Sequence, residues 1–166
     1  MSLFSLSRVD KLRNQHKKSD QDIINIKFPS ELKPQELLIY IVEDDPSFLQ
    51  QLNTHFSKLK LEVNQTKYRF KVKNYTTGTS CLKDLKHNPD LIFLNFFLNK
   101  GVSHTISGRE TFDQIMDANP NQKVIILNEL EVKLRGAFVE NGLRDYIIKD
   151  EKGLEELNTI ITDILS

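Results

Sequence analysis

Ten residues in the middle of the chain, Asp90-Leu91-Ile92-Phe93-Leu94-Asn95-Phe96-Phe97-Leu98-Asn99, leave few folds open. Pro89 precedes the run and a polar segment containing Gly101 follows it. A bounded apolar run of this length predicts a strand over 91–98 covered on both faces, as in the centre of a parallel sheet. Asn95 interrupts it, and an amide buried without partners costs about 1–3 kcal/mol. Open parallel sheets give such a group a place at the carboxyl end of a central strand, where the ligand crevice opens. Asn95 is therefore expected near the mouth of a site.

The flanking segments carry the same alternation of elements. Residues 37–42 form an apolar strand ending in Glu43-Asp44-Asp45-Pro46, and Pro46, Phe48, Leu49, Leu52, Phe56 and Leu59 follow at helical spacing. Over 67–76, Tyr68, Phe70 and Val72 alternate with Lys67, Arg69, Lys71 and Lys73, which predicts a strand with one solvated face. Lysines guarding an exposed sheet edge explain the basic residues at least as well as nucleic acid does. Further on, the pattern predicts helices over 79–87 and Gly108–Ala118, the latter with Phe112, Ile115 and Met116 inward, and a strand over 124–127. A helix over 130–140 is stopped by Asn141-Gly142, and a fifth strand over 145–149 and a helix over 154–165 follow. Five strands alternating with five helices make an α/β fold with a parallel sheet.

Composition narrows the function classes. The 166 residues are 39% hydrophobic and 28% charged with zero net charge, so no global field draws nucleic acid or an anionic membrane. The single Cys81 excludes an internal disulfide and a cysteine metal cluster. No run approaches the roughly 20 apolar residues of a membrane span, and no secretory signal opens the chain, so a cytoplasmic protein is expected. Residues 1–35 differ from the rest, with seven Lys/Arg against four acids, so that this extension is +3 and the domain over 36–166 is −3. Leu3, Leu6, Val9 and Leu12 have helical spacing there, and Ile24, Ile26 and Phe28 alternate. The segment reads as a docked or loosely ordered tail, or as a partner-binding or dimerising arm.

Polar residues gather at the predicted strand ends: Glu43, Asp44 and Asp45 after the first strand, Asn95 on the third, Asn128 after the fourth and Lys149 after the fifth. Converging carboxylates repel unless a cation neutralises them, and oxygen ligands suit Mg²⁺. Asp45 is the expected cap of the following helix, with Glu43 and Asp44 facing the crevice and Lys149 neutralising them. In order and spacing, IYIVEDDPSF, PDLIFLNFFL, VIILN and RDYIIKD resemble the receiver domain of two-component response regulators, over about 37–165. The resemblance implies a three-layer (βα)5 doubly wound, flavodoxin-like sheet of strand order 2-1-3-4-5. It also implies a bacterial signalling module rather than an enzyme. By its pattern Glu43 and Asp44 hold Mg²⁺, with the acceptor position, Asn95, and the Phe97 backbone completing the set. Asn128 takes the place of a hydroxyl residue that meets the phosphoryl group. Lys149 pairs with that group, and Tyr146 is the aromatic reporter of the switch.

Three departures fall on the chemistry. The acceptor is Asn95 and not Asp, and an amide is a poor nucleophile towards phosphorus; its loss of charge also weakens Mg²⁺. Asn128 lacks the hydroxyl. The loop 99–107 is about five residues longer than usual and has Asn99 where a proline is common. The chain thus resembles a degenerate receiver, a pseudo-receiver, that acts by protein contact through the fourth helix, fifth strand and fifth helix (130–165), homodimers included. No output domain is expected after Ser166, and no sensor kinase is named by the sequence. The competing reading is a Mg²⁺-dependent phosphorelay receiver with another acceptor, for which only Asp45 and Asp90 are near, and Asp90 lies at the wrong end of the strand. A nucleotide or other small-ligand crevice lacks a glycine-rich cradle. The four histidines have no ligand spacing, and Cys81 reads as a small buried side chain.

Overall fold

The structure, a computed structural model, describes residues 33–129 and 146–166. Its order is β1 (Gln35–Val42), α1 (Pro46–Lys58), β2 (Leu61–Val63), β3 (Thr66–Tyr75), α2 (Gly78–Asp84) and a 3-10 turn (Leu85–His87). After these come β4 (Leu91–Asn95), α3 (Gly108–Ala118), β5 (Val124–Asn128), β6 (Tyr146–Ile148) and α4 (Glu151–Leu165). The helix predicted over 130–140, its Asn141-Gly142 stop and Asp145 lie outside the described residues, as does the extension up to residue 32.

The sheet runs β2-β3-β1-β4-β5-β6. Its five long-range strands, β3-β1-β4-β5-β6, are parallel and realise the order 2-1-3-4-5. The sixth, β2, is a short antiparallel hairpin partner of β3 that the sequence reading left out. It is three residues long, and Asn64 and Gln65 make its tight turn at φ 49° and 65°. Asn favours that left-handed region more than most residues do. β2 also changes the account of the basic strand, because it covers the outer side of β3 from Thr66 to Tyr68. Two of the four basic residues are engaged in ion pairs, Arg69 with Glu36 (2.9 Å) and Lys73 with Asp84 (3.6 Å).

Period-two alternation sends successive β1 side chains to opposite faces. Ile39 and Ile41 join Phe48, Leu52, Phe56, Phe93, Leu157 and Ile161 under α1 and α4. Tyr40 and Val42 join Tyr75, Cys81, Ile92, Leu94 and Ile115 under α2 and α3. Both faces are therefore covered, and the whole of β4 is buried. That strand is shorter than predicted: it stops at Asn95, and Phe96 to Lys100 form turns. Phe96 and Phe97 extend the apolar run but are only half-buried, so composition alone overshoots the hydrogen-bonded ladder. On α3 the deeply buried residues are Gly108, Thr111 and Ile115, while Phe112 and Met116 are half-buried.

Side-chain caps set the helix starts, those of α1 and α3 among them. Asp45 Oδ1 accepts from the N–H groups of Ser47 (2.9 Å) and Phe48 (3.4 Å), ahead of Pro46 in the first turn of α1. Ser107 and Glu110 form a capping box on α3. That cap brings Gly108 so close to the end of β4 that a Cβ would lie 2.0 Å from the carbonyl oxygen of Asn95 and 2.5 Å from that of Phe96. Because both obstacles are backbone, Gly108→Ala should lower stability by about 1–3 kcal/mol, read from the urea midpoint. On the α2 face, Tyr75 donates its hydroxyl to Asp84 Oδ2 (2.9 Å), and this bond is the main reason the Asp84 carboxyl titrates below its usual range. Tyr75→Phe should move that titration upward in an NMR pH series, so the acid destabilisation assigned to Asp84 becomes smaller and is complete at higher pH.

Candidate functional site

Sheet register assembles the site. Val42 lies opposite Tyr75 on one side and Leu94 on the other, Asn95 opposite Leu127, and Asn128 opposite Ile148. The ladder continues one step past the strand ends, with Glu43 N–H donating to the Tyr75 carbonyl (2.9 Å) and Lys149 N–H to that of Asn128 (2.8 Å). Glu43, Asn95, Asn128 and Lys149 are thus carried to one edge of the sheet, the carboxyl edge where such folds place their crevices.

Glu43 is fully buried, and Asn95 and Asn128 nearly so. The Lys149 side chain is only 4% exposed, and its Nζ lies 2.6 Å from Glu43 Oε2, 3.3 Å from Glu129 Oε1 and 5.4 Å from the centre of the Phe48 ring. Asn95 Nδ2 donates to Glu43 Oε1 (3.0 Å) and to Asp44 Oδ1 (2.9 Å). Asn95 Oδ1 in turn accepts the Phe97 N–H (3.0 Å). Glu43 Oε1 also accepts the N–H of Asp45 (3.0 Å). Burial pushes the Glu43 carboxyl above its usual range, and Lys149, the Asp45 N–H and the Asn95 amide pull against that shift.

Each predicted residue can now be placed. Glu43, Asp44, Asn95 and Lys149 meet in one network, and Phe97 enters it through its N–H. Asn128 is buried beside them at the end of β5. Tyr146 is half-buried and packs against the core under α2 and α3. Asp45 is committed to capping α1. Asp90 sits at the opposite end of β4, where it accepts the Leu38 N–H (2.6 Å) and returns its own N–H to the Leu38 carbonyl (2.8 Å). Two participants were missed as ligands of the network. Glu129 follows β5 directly, an acid beside a predicted strand end, and that was its signal. Asn99 stood out only as a residue in a proline's place.

Among the described residues, no group of three or more His, Cys, Asp or Glu side chains is arranged to hold a metal ion. The donor chemistry agrees: the carboxylate oxygens of Glu43 and Asp44 face amide and ammonium hydrogens, and a Mg²⁺ ion requires those lone pairs. As arranged, the residues do not fit the cation. Lys149→Met removes the ammonium that pairs with Glu43, so the domain should lose about 3–5 kcal/mol at neutral pH. The sign of the pH dependence follows from the raised Glu43 titration: protonated Glu43 needs no counter-charge, so the loss should shrink as pH falls towards that titration and level off below it. Urea titrations of both proteins at neutral and acidic pH measure it.

No protein-family model matches the sequence, and no curated protein matches it. Likeness appears in three dimensions. The response regulator DrrB of Thermotoga maritima, an OmpR/PhoB homologue, superposes with a TM-score of 0.60 at 24% identity, over 79% of this chain and 53% of DrrB. The CheX–CheY–BeF3–Mg²⁺ complex of Borrelia burgdorferi gives 0.59 at 18%, over 78% of this chain and 90% of that one. A CheY-like receiver domain from Methanospirillum hungatei gives 0.55 at 20%, over 79% and 94%. No helix among the described residues is long and apolar enough to cross a membrane. At these identities the likeness is one of fold, and that fold is the one of response regulator receiver domains.

Proposed function

We propose that the chain is a pseudo-receiver: a cytoplasmic signalling module of the two-component class, with a domain over 36–166 and an extension over 1–35, that works by protein contact and not by aspartyl phosphate. The observation that carries this reading is Asn95. Its amide occupies the acceptor position and spends both hydrogens on Glu43 and Asp44. An amide nitrogen carries no lone pair suited to attack on phosphorus, and the amide oxygen lacks the charge of a carboxylate. Lys149, the residue that would meet a phosphoryl group, is already paired with Glu43 and Glu129. No reaction of its own is assigned to the module. Its contact surface is the segment 130–165, of which β6 and α4 are described here, and a second copy or another signalling protein would dock there.

Neither Asp45 nor Asp90 competes as acceptor. Asp45 holds the start of α1, and Asp90 is bonded at the far end of β4. Intact mass after incubation with acetyl phosphate and Mg²⁺, run beside Asn95→Asp, tests the proposal. The natural protein should gain no phosphoryl group. A phosphoryl group on the natural protein would overturn the reading and send peptide mapping after the acceptor. A gain confined to Asn95→Asp would place the silencing at that one residue.

A further inference from the structure

The loop after β4 is fastened down by its own residue Asn99. Its backbone N–H donates to Asp44 Oδ2 (3.0 Å), and its side-chain Nδ2 donates to the carbonyl of Thr76 (3.2 Å). One residue thereby ties the loop to the segment after β1 and to the segment after β3. Its backbone lies at φ 52°, in the left-handed region that Asn tolerates and most side chains avoid. Proline could serve neither role, since its φ is fixed near −65° and it has no N–H. From this point the loop turns tightly, with Val102 N–H donating to the Asn99 carbonyl (3.0 Å) and further left-handed residues at Gly101 and His104.

Each carboxylate and amide oxygen of Glu43, Asp44 and Asn95 then faces a positive pole from the chain. Glu43 Oε1 takes Asn95 and the Asp45 N–H, and Glu43 Oε2 faces Lys149. Asp44 Oδ1 takes Asn95, Asp44 Oδ2 takes Asn99, and Asn95 Oδ1 takes the Phe97 N–H. We propose that Asn99 is a latch which, together with Asn95, supplies from the chain the positive poles that a divalent cation would bring, and so holds the loop closed over Asp44 without a cation. Latch and cation compete for Asp44, because an N–H held against each of its oxygens offsets the negative charge that a divalent cation needs. The proposal concerns the loop and its fastening, and it stands or falls independently of whether the protein is phosphorylated.

Hydrogen exchange of the full chain, followed by mass spectrometry over the 97–105 segment, with and without Mg²⁺ alone, tests the latch. Calorimetric titration of Mg²⁺ runs alongside. In the natural protein this segment should be protected, and millimolar Mg²⁺ should leave the protection unchanged. Asp44→Ala removes an exposed acceptor and should speed exchange in that segment by about tenfold, the equivalent of one hydrogen bond to a charged group. Asn99→Pro should do the same and also bind Mg²⁺ about tenfold more tightly than the natural protein, because Asp44 is released. Unprotected exchange in the natural protein, protection that appears only with Mg²⁺, or unchanged exchange in Asp44→Ala would each overturn the latch. So would an Asn99→Pro protein that folds and binds Mg²⁺ no better. Should Asn99→Pro fail to fold, the Asp44→Ala exchange rates decide alone.

Discussion

Glu43 must be neutralised where it stands, and the arrangement around the crevice follows from that. A carboxylate with no solvent exposure at the end of β1 is costly unless a cation and hydrogen-bond donors meet it. The ammonium comes from three strands away, since β4 and β5 lie between β1 and β6. At about 4.8 Å per strand this is roughly 14 Å of sheet. Only two long side chains leaning towards each other over the strand ends can close such a distance. A shorter acid in place of Glu43 would leave Lys149 with the rim residue Glu129 alone. The ion pair therefore ties the first strand of the domain to its last one, across the mouth of the crevice.

The second neutralising element is the Asn95 amide, and it changes the character of the site. A carboxylate at this position would add a third negative group within hydrogen-bond distance of two others, a condition that a metal or a proton has to relieve. The amide brings two donors to the same spot. With Lys149 counted, Glu43, Asp44 and Asn95 make a cluster of formal charge −1 whose remaining demand is met by N–H groups. Repulsion that would make the crevice respond to ions is replaced by attraction that makes it cohesive. This gives the proposed signalling mode a physical footing: a module read by its partners as a fixed surface needs a crevice that holds itself together.

Much of this was legible in the sequence, for identifiable reasons. The parallel sheet and both covered faces follow from apolar strands separated by amphipathic helices, with β1 alternating between the two cores, whereas the strand order was implied by the resemblance to receiver domains. Pro46 with Asp45 marked the start of α1 through well-defined cap chemistry, whereas the box of Ser107 and Glu110 on α3 went unread. The end of β4 was not legible, because Phe96, Phe97 and Leu98 continue the hydrophobic run after the ladder has stopped; burial and pairing are different properties, and periodicity reports only the first. The hairpin strand β2 was missed because three residues, Leu61, Glu62 and Val63, are too few to show a period. In the site, residue types at strand ends identified which groups meet, yet not which hydrogen points where. The Asn99 bonds depend on a left-handed backbone angle, and nothing in the spacing encodes it.

Asn95 and Asn99 stand four residues apart on one turn-rich segment and share one acceptor residue, Asp44, each taking one of its oxygens. Their effects cannot be independent, because substitutions that act on one hydrogen-bonded group couple. With aspartate at position 95 and Asn99 kept, Asp44 would still be half-committed to the loop, and a cation would have to compete for it. With proline at 99 and Asn95 kept, Asp44 would be partly free, but the amide would still screen it from the crevice. Either change alone leaves a mixed site; both together would free the carboxylate on both of its oxygens. The amide at position 95 and the fastened loop are therefore two halves of one arrangement of charge, centred on an exposed aspartate.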